Sequence, residues 1–314
     1  MKQFKNILCL LQTGYSEKTV SRVFKIAEQA NLSLTLMVAV SVGKGKGDSV
    51  TESEQVAQIR KQLSGITGKD VERDVLEQPP IHISRGKLIN DAIELLSRQS
   101  FDLVIKEVED KDWLDQLLGD DDTQLLRKSP CPVWLLKPDT PMPLKSVMVA
   151  LDFDHAECAN NVTFNQMLAE LGVYFASQDL AALHFVTVYE SVKAGVLSVW
   201  SDEPEQFRRT MENEEFRHKS AALTNLEAEL KKKFGGDVYQ YVSPTGHVVQ
   251  GVAAEKLTSM VNLLNVDLLI MGTVARTGIK GVVIGNTAES LLSSVKCSVL
   301  TAKPDSLVLP DSVS

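Results

Sequence analysis

Between positions 272 and 287 the chain reads Gly272-Thr-Val-Ala-Arg-Thr-Gly-Ile-Lys-Gly-Val-Val-Ile-Gly-Asn-Thr287, with Arg276 and Lys280 as its charges and no acid. A glycine has no Cβ, so backbone at Gly272 and Gly285 can approach a ligand closely. The turn Gly285-Asn286-Thr287 precedes a helix-like pattern and offers unpaired N–H groups at the positive end of the helix dipole. Cationic side chains nearby add charge-assisted hydrogen bonds. The chemistry is anion binding, and phosphate is the natural guest.

The flanking elements must position this segment. An apolar run, Val266-Asp-Leu-Leu-Ile-Met271, comes before it and Ala288-Glu-Ser-Leu-Leu-Ser-Ser-Val295 after it, so a parallel strand hands over to a helix. Such a junction is the usual ligand crevice of an open α/β sheet. The pattern occurs twice. Phe101-Asp-Leu-Val-Ile matches Val266-Asp-Leu-Leu-Ile, Phe4-Lys-Asn-Ile-Leu-Cys matches Leu144-Lys-Ser-Val-Met-Val, and Ser129-Pro-Cys-Pro-Val-Trp matches Val295-Lys-Cys-Ser-Val-Leu. Two copies of one domain are therefore expected, 1–140 and 141–305, with a tail at 306–314 and a proline-rich linker at Lys137-Pro-Asp-Thr-Pro-Met-Pro143.

Strands are expected near 4–11, 33–42, 71–76, 101–107 and 132–137, then near 145–151, 179–189, 238–243, 266–271 and 298–303. Helices are expected near 17–30, 51–65, 87–99 and 119–128, then near 157–176, 203–233, 251–264 and 286–295. Alternation of β and α predicts the α/β class: two tandem, doubly wound, five-stranded parallel sheets of Rossmann-like type.

Composition sets bounds. The 314 residues are 44% hydrophobic and 24% charged, enough for two cores. A net charge of −8 and a pI near 5.3 argue against nucleic acid as a partner. No apolar run is long enough to span a membrane, and Met1-Lys-Gln-Phe-Lys-Asn-Ile-Leu reads as a first strand rather than a leader, so a cytoplasmic location is expected. Cys9, Cys131, Cys158 and Cys297 form no CxxC or Cys/His cluster, so neither a metal site nor a disulfide framework is expected.

The spacing of glycines resembles the nucleotide-binding signature of the universal stress protein family: Gly, two residues, Gly, nine residues, Gly, then Ser or Thr. Gly272 and Gly285 match; Ala275 stands in place of the second glycine and Asn286 in place of the hydroxyl residue, with Thr287 one position on. The resemblance spans about residues 3–305 and is similar to the tandem-domain members, in particular the bacterial E subgroup. It implies a stress-induced cytoplasmic protein without established enzymatic chemistry, whose two domains form an internal pseudo-dimer through the strands at 132–137 and 298–303. A further homodimer is a second option for assembly.

The resemblance also implies a nucleotide site in the second copy, with ATP and Mg²⁺ as its cofactor. Asp152, after the first strand, takes the carboxylate role at the sugar; Phe185 takes the backbone position that flanks the adenine. Met271, Gly272, Ala275, Arg276, Gly285, Asn286 and Thr287 complete the set. The alternative for Asp152 is a turn or helix cap. His184, inside an apolar strand, reads as a core histidine with a satisfied nitrogen rather than an acid or base.

The first copy fails at the matching places, with Gln12 for Asp152 and Glu107 for Gly272. From Glu107 to Asp122 the chain carries eight acids against Lys111 alone, and each close like-charge pair with a phosphate costs on the order of 1 kcal/mol even at solvent-like dielectric. A solvated acidic face is expected there, since Asp120-Asp-Asp122 lacks the spacing of a calcium loop. Gly43-Lys-Gly-Lys-Gly47 is no P-loop and reads as a solvated loop.

Three functions compete. The first is a non-catalytic stress-response protein whose second domain binds a nucleotide or another small ligand. The second is a scaffold or carrier of an apolar ligand with vestigial nucleotide sites, for which Trp200 is a candidate lining residue. The third is a slow ATPase, for which only Asp152 offers a carboxylate near the site and no Ser/His/Asp set is present.

Overall fold

The computed structural model describes residues 4–40, 52–67, 79–108, 120–154, 159–190, 203–273 and 284–304. The chain divides into two compact units between Asp139 and Thr140. The N-terminal unit contains β1 (Asn6–Leu11), α1 (Glu17–Gln29), β2 (Ser33–Ala39), α2 (Glu52–Thr67), β3 (Ile81–Ser84), α3 (Leu88–Arg98), β4 (Leu103–Glu107), α4 (Asp120–Lys128) and β5 (Val133–Leu136). Its strands lie in the order β3-β2-β1-β4-β5, and every pair is parallel.

The C-terminal unit contains β6 (Ser146–Leu151), α5 (Ala159–Asp179), β7 (Ala182–Tyr189), α6 (Pro204–Phe234), α7 (Gly236–Val242), β8 (Thr245–Gln250), α8 (Ala253–Leu263), β9 (Leu268–Gly272), α9 (Asn286–Ser294) and β10 (Ser298–Ala302). Its order β10-β9-β6-β7-β8 repeats the topology, again all parallel. Parallel strands covered by helices on both faces have no polar side to show. Accordingly β1 is buried from Ile7 to Leu11 and β10 throughout.

The repeated aspartate of the two matching strand motifs has one structural task. Asp102 Oδ2 accepts the N–H groups of Lys5 and Asn6 at 2.8 and 2.9 Å. Asp267 Oδ2 accepts those of Lys145 and Ser146 at 2.7 and 3.0 Å. Each carboxylate satisfies backbone donors at the start of the first strand of its own unit, tying that strand to the fourth.

Local chemistry fixes the helices. Ser16 caps α1, its hydroxyl accepting the Lys18 N–H at 3.2 Å. Helix α6 opens on Pro204, carries Lys231, Lys232 and Lys233 in its last turn, and stops at Gly235 with φ 81°. It buries Lys219, Leu223, Leu226 and Leu230, one stripe at helical spacing. Helix α5 lies close on the sheet because Gly172 has no side chain: a Cβ there would come 2.4 Å from Val149 Cγ2.

The third strand of each unit differs from expectation. Residues 71–76 lie outside the described residues, and the first unit's third strand is Ile81–Ser84. In the second unit, 238–242 belongs to α7 with Ser243 as its C-cap, and the strand is Thr245–Gln250. The alternating Val238-Tyr-Gln-Tyr-Val-Ser243 suits a strand locally. It folds instead as one more helical segment packed against α5 and α6, with Val242 buried and Ser243 ending it in the left-handed region at φ 41°. Among the described residues no helix is long and apolar enough to cross a membrane.

Candidate functional site

The strand order puts β6 beside β9, and the connections from these two strands run to opposite sides of the sheet, which makes this pair the topological switch point. Their pairing covers Val147 with Leu268, Met148 with Leu269 and Val149 with Ile270. Beyond it, β6 stays paired with β7 as far as Leu151 and Thr187, and β9 stays paired with β10 as far as Gly272 and Ala302. The two central strands therefore part before they end. A cleft opens between Asp152 on one side and Gly272-Thr273 on the other.

The β6 side of the cleft is tightly wired. The Asp152 carbonyl accepts Asn161 Nδ2 at 3.1 Å and Asn165 Nδ2 at 2.6 Å, and its N–H donates to Asn165 Oδ1 at 3.2 Å. Asp152 Oδ1 accepts the N–H of Asp154 at 3.0 Å, the geometry of an Asx turn. The turn role weighed for Asp152 is thus one that it performs. Asp154 in turn pairs with the ammonium of Lys219, whose side chain is 1% exposed against 31% for the aspartate. The long helix α6 thereby reaches the loop that carries Asp152.

On the β9 side, Met271 is buried and registers with Thr301. Gly272 is a glycine for a reason internal to the fold: a Cβ there would stand 2.7 Å from Phe164 Cε1 and 3.1 Å from Cζ. The close approach expected of a ligand at this glycine is made by an aromatic ring of α5. Thr273 donates its N–H to the Ala302 carbonyl at 3.1 Å and accepts the Gly285 N–H at 3.0 Å, which pins the start of α9 to the end of β9.

Gly285 is the N-cap of α9, with φ −69° and ψ 148° and no side-chain cap. The first helical bond runs from the Glu289 N–H to the Gly285 carbonyl at 2.9 Å. The N–H groups of Asn286, Thr287 and Ala288 accordingly have no intrahelical acceptor. Asn286 and Thr287 are exposed. Ala275, Arg276 and Lys280 lie outside the described residues, as do Cys158, Trp200 and the loop at Gly43–Gly47.

Phe185 is placed differently from the expectation. It sits in the middle of β7, registered with Val149 on one side and Gly246 on the other, and its side chain is fully buried. The strand runs on to Tyr189, so at this residue the chain is interior sheet rather than the rim of the cleft.

The N-terminal unit fills the matching place with its own anion. The Glu107 carboxylate accepts the Ser16 N–H at 3.1 and 3.3 Å, at the start of α1, where the helix dipole favours negative charge. Gln12 supplies only its carbonyl, to the Tyr15 N–H at 3.1 Å. Nor is the acidic stretch simply a solvated face, since Asp122 pairs at 3.0 Å with Lys106, a lysine 3% exposed in β4. Residues 109–119 lie outside the described residues. Burial and the nearby Glu107 push the Cys9 thiol far up from its usual range.

Two buried lysines escaped the sequence reading. Lys106 interrupts an apolar strand, and Lys219 holds a core position of α6 at four and seven residues from Leu223 and Leu226. That spacing was the available signal. Elsewhere, His184 has the satisfied nitrogen expected of it: its Nδ1 lies 3.2 Å from His247 Nε2. Burial, then the neighbouring His247, holds His184 below the ordinary histidine range, and burial does the same to His247.

Residues 144–303 match the sequence profile described as Usp, Universal stress protein family. The chain is 28% identical to the Universal stress protein E homolog of Haemophilus influenzae, over 96% of this chain and 98% of that protein. It is 30% identical to Universal stress protein E of Escherichia coli over 67% of this chain and 63% of that protein. Among solved structures, a functionally unknown protein from Pseudomonas aeruginosa PAO1 superposes with a TM-score of 0.68 at 22% identity, over 96% of this chain and 93% of that one. A universal stress protein from Archaeoglobus fulgidus gives 0.60 at 15% identity, over 95% and 98%. At such identities these two likenesses speak to fold.

Proposed function

The chain belongs to the universal stress protein family, a family with a role in stress response, and from that premise we propose that its C-terminal unit is a non-catalytic nucleotide-binding module. The N-terminal unit on this reading is a companion domain without a nucleotide site. One observation carries it: β6 and β9 part at the switch point, with Asp152 on one wall and the start of α9 on the other. The N–H groups of Asn286, Thr287 and Ala288 suit the phosphates of ATP–Mg²⁺, and Asp152 faces the sugar side. In the other unit an acid, Glu107, stands at the end of the fourth strand where Gly272 stands here, and its carboxylate accepts the Ser16 N–H at the start of α1.

A non-catalytic role accords with what two serines at the far end of α9 do. Ser293 and Ser294 donate to the carbonyls of Glu289 and Ser290 in their own helix, at 2.9 and 2.5 Å, so neither is partnered by a base. A cytoplasmic site of action accords with Cys9, Cys131 and Cys297, which are buried thiols rather than disulfide sulfurs.

A second reading, a carrier of an apolar ligand, has one observation in its favour: the ring of Phe164 beside Gly272 gives the cleft an aromatic wall. Denaturing the purified protein and separating the released small molecules distinguishes the two. Adenine nucleotide in stoichiometric amount supports the first reading. An apolar compound in the organic extract, with no nucleotide, supports the second.

A further inference from the structure

We propose that His184 and His247 form a divalent metal site of the C-terminal unit, taking a borderline transition cation such as Zn²⁺. The two residues are 63 positions apart in sequence, and strand pairing alone brings them together. In the β7–β8 register His184 faces Thr245 and His247 faces Val186, which makes the histidines diagonal neighbours on one face of the sheet. Gly246, between Thr245 and His247, turns to the opposite face, where α6 presents Leu223 and Glu227. The pair therefore lies on the sheet face away from α6, toward the amino ends of its strands, whereas the cleft at Asp152 lies at their carboxyl ends.

The geometry is that of two ligands to one ion. Nδ1 of His184 and Nε2 of His247 stand 3.2 Å apart, with the rings tilted by 48°. Two imidazole nitrogens each about 2.0–2.1 Å from a tetrahedral Zn²⁺ stand about 3.3–3.4 Å from one another. A shift of a few tenths of an ångström suffices. In the metal-free pair one ring donates its N–H to the lone pair of the other. The cation takes the place of that proton, which moves to the outer nitrogen of the same ring. Each neutral imidazole then directs a lone pair inward, and no net proton is lost.

The remaining coordination positions belong to water. Among the described residues no group of three or more His, Cys, Asp or Glu side chains gathers around a common point. Both rings are partly exposed, and β8 is the last strand in the order of its unit, so solvent has access. Imidazole donors with open positions suit Zn²⁺, Cu²⁺ and Ni²⁺ and disfavour Mg²⁺ and Ca²⁺.

The test is titration of Zn²⁺ into the whole, untagged, chelator-treated protein, followed by calorimetry and by the imidazole signals in the NMR spectrum. The expected result is one site of micromolar affinity, with the signals of His184 and His247 perturbed and those of His82 and His218 unmoved. His184→Gln and His247→Gln, each keeping a hydrogen-bonding amide, should each abolish the heat. Unperturbed His184 and His247 signals at millimolar Zn²⁺ would overturn the proposal without recourse to a variant. So would an affinity unchanged in either substitution.

Discussion

Phe164 Cε1 lies 2.7 Å from the point where a Cβ on Gly272 would sit. The glycine at the end of β9 is thus required by the packing of α5 before any ligand is considered. Gly272→Ala should destabilise the protein by about 1–3 kcal/mol, the usual range for forcing extra volume into a packed site. Combining it with Phe164→Leu should recover part of that loss in denaturant unfolding. Additive losses would show that the two positions do not share the space.

The ion pair of Lys219 with Asp154 links α6 to the loop after β6. Removing one partner of a buried pair leaves the other charge uncompensated, at about 3–5 kcal/mol when both are fully buried. The partial exposure of Asp154 brings the expectation for Lys219→Met down to about 2–3 kcal/mol. Hydrogen exchange should also accelerate at Asp154, whose N–H bonds to Asp152. Unchanged protection there would mean that the turn stands without the lysine.

In the N-terminal unit, Glu107 serves as the resident anion at the start of α1. Glu107→Gln removes that charge and should destabilise the protein by about 1 kcal/mol. A thermal melt whose midpoint does not move would deny the carboxylate this role.

The histidine pair gives stability a pH dependence. Both rings titrate below the ordinary value in the folded state, His184 through burial and then its neighbour, His247 through burial. The unfolded chain therefore takes up these protons first as pH falls. The contribution is present in full above the unfolded histidine value of about 6.5 and is lost progressively below it. Melting curves should show the midpoint falling between about pH 7 and pH 5, and less steeply in His247→Gln. An identical slope in the variant would exclude the pair as its source.

How much of this was legible in the sequence depended on range. The repeated Phe101-Asp and Val266-Asp motifs announced both the tandem units and their fourth strands, because a motif that recurs in the same order reports topology directly. Helix α6 was equally legible through Pro204 and its charged, regular pattern. The strand Thr245–Gln250 was missed because Val238–Val242 offers a cleaner alternation, and only packing against α5 and α6 makes that segment helical.

The candidate site was legible only in part. Gly285 falls at a helix start that the flanking pattern locates, whereas Asp152 was singled out through the family resemblance. The pairing of Asp154 with Lys219, the ring of Phe164 over Gly272 and the meeting of His184 with His247 are tertiary contacts with no sequence-local trace. Phe185 was misplaced for a related reason: an apolar strand does not reveal from its own residues how far it runs before reaching the rim.

The most direct test of the central claim is calorimetric titration of ATP–Mg²⁺ into the whole protein and into Gly285→Asp. Gly285 sits at an N-cap with φ −69° and ψ 148°, a conformation that aspartate adopts readily and caps well. The variant should therefore fold while placing a carboxylate where the phosphates would bind. One site of micromolar affinity per chain, lost in Gly285→Asp, is the predicted result. Absence of binding to the unaltered protein, or an affinity that Gly285→Asp leaves intact, would contradict a nucleotide site at the start of α9.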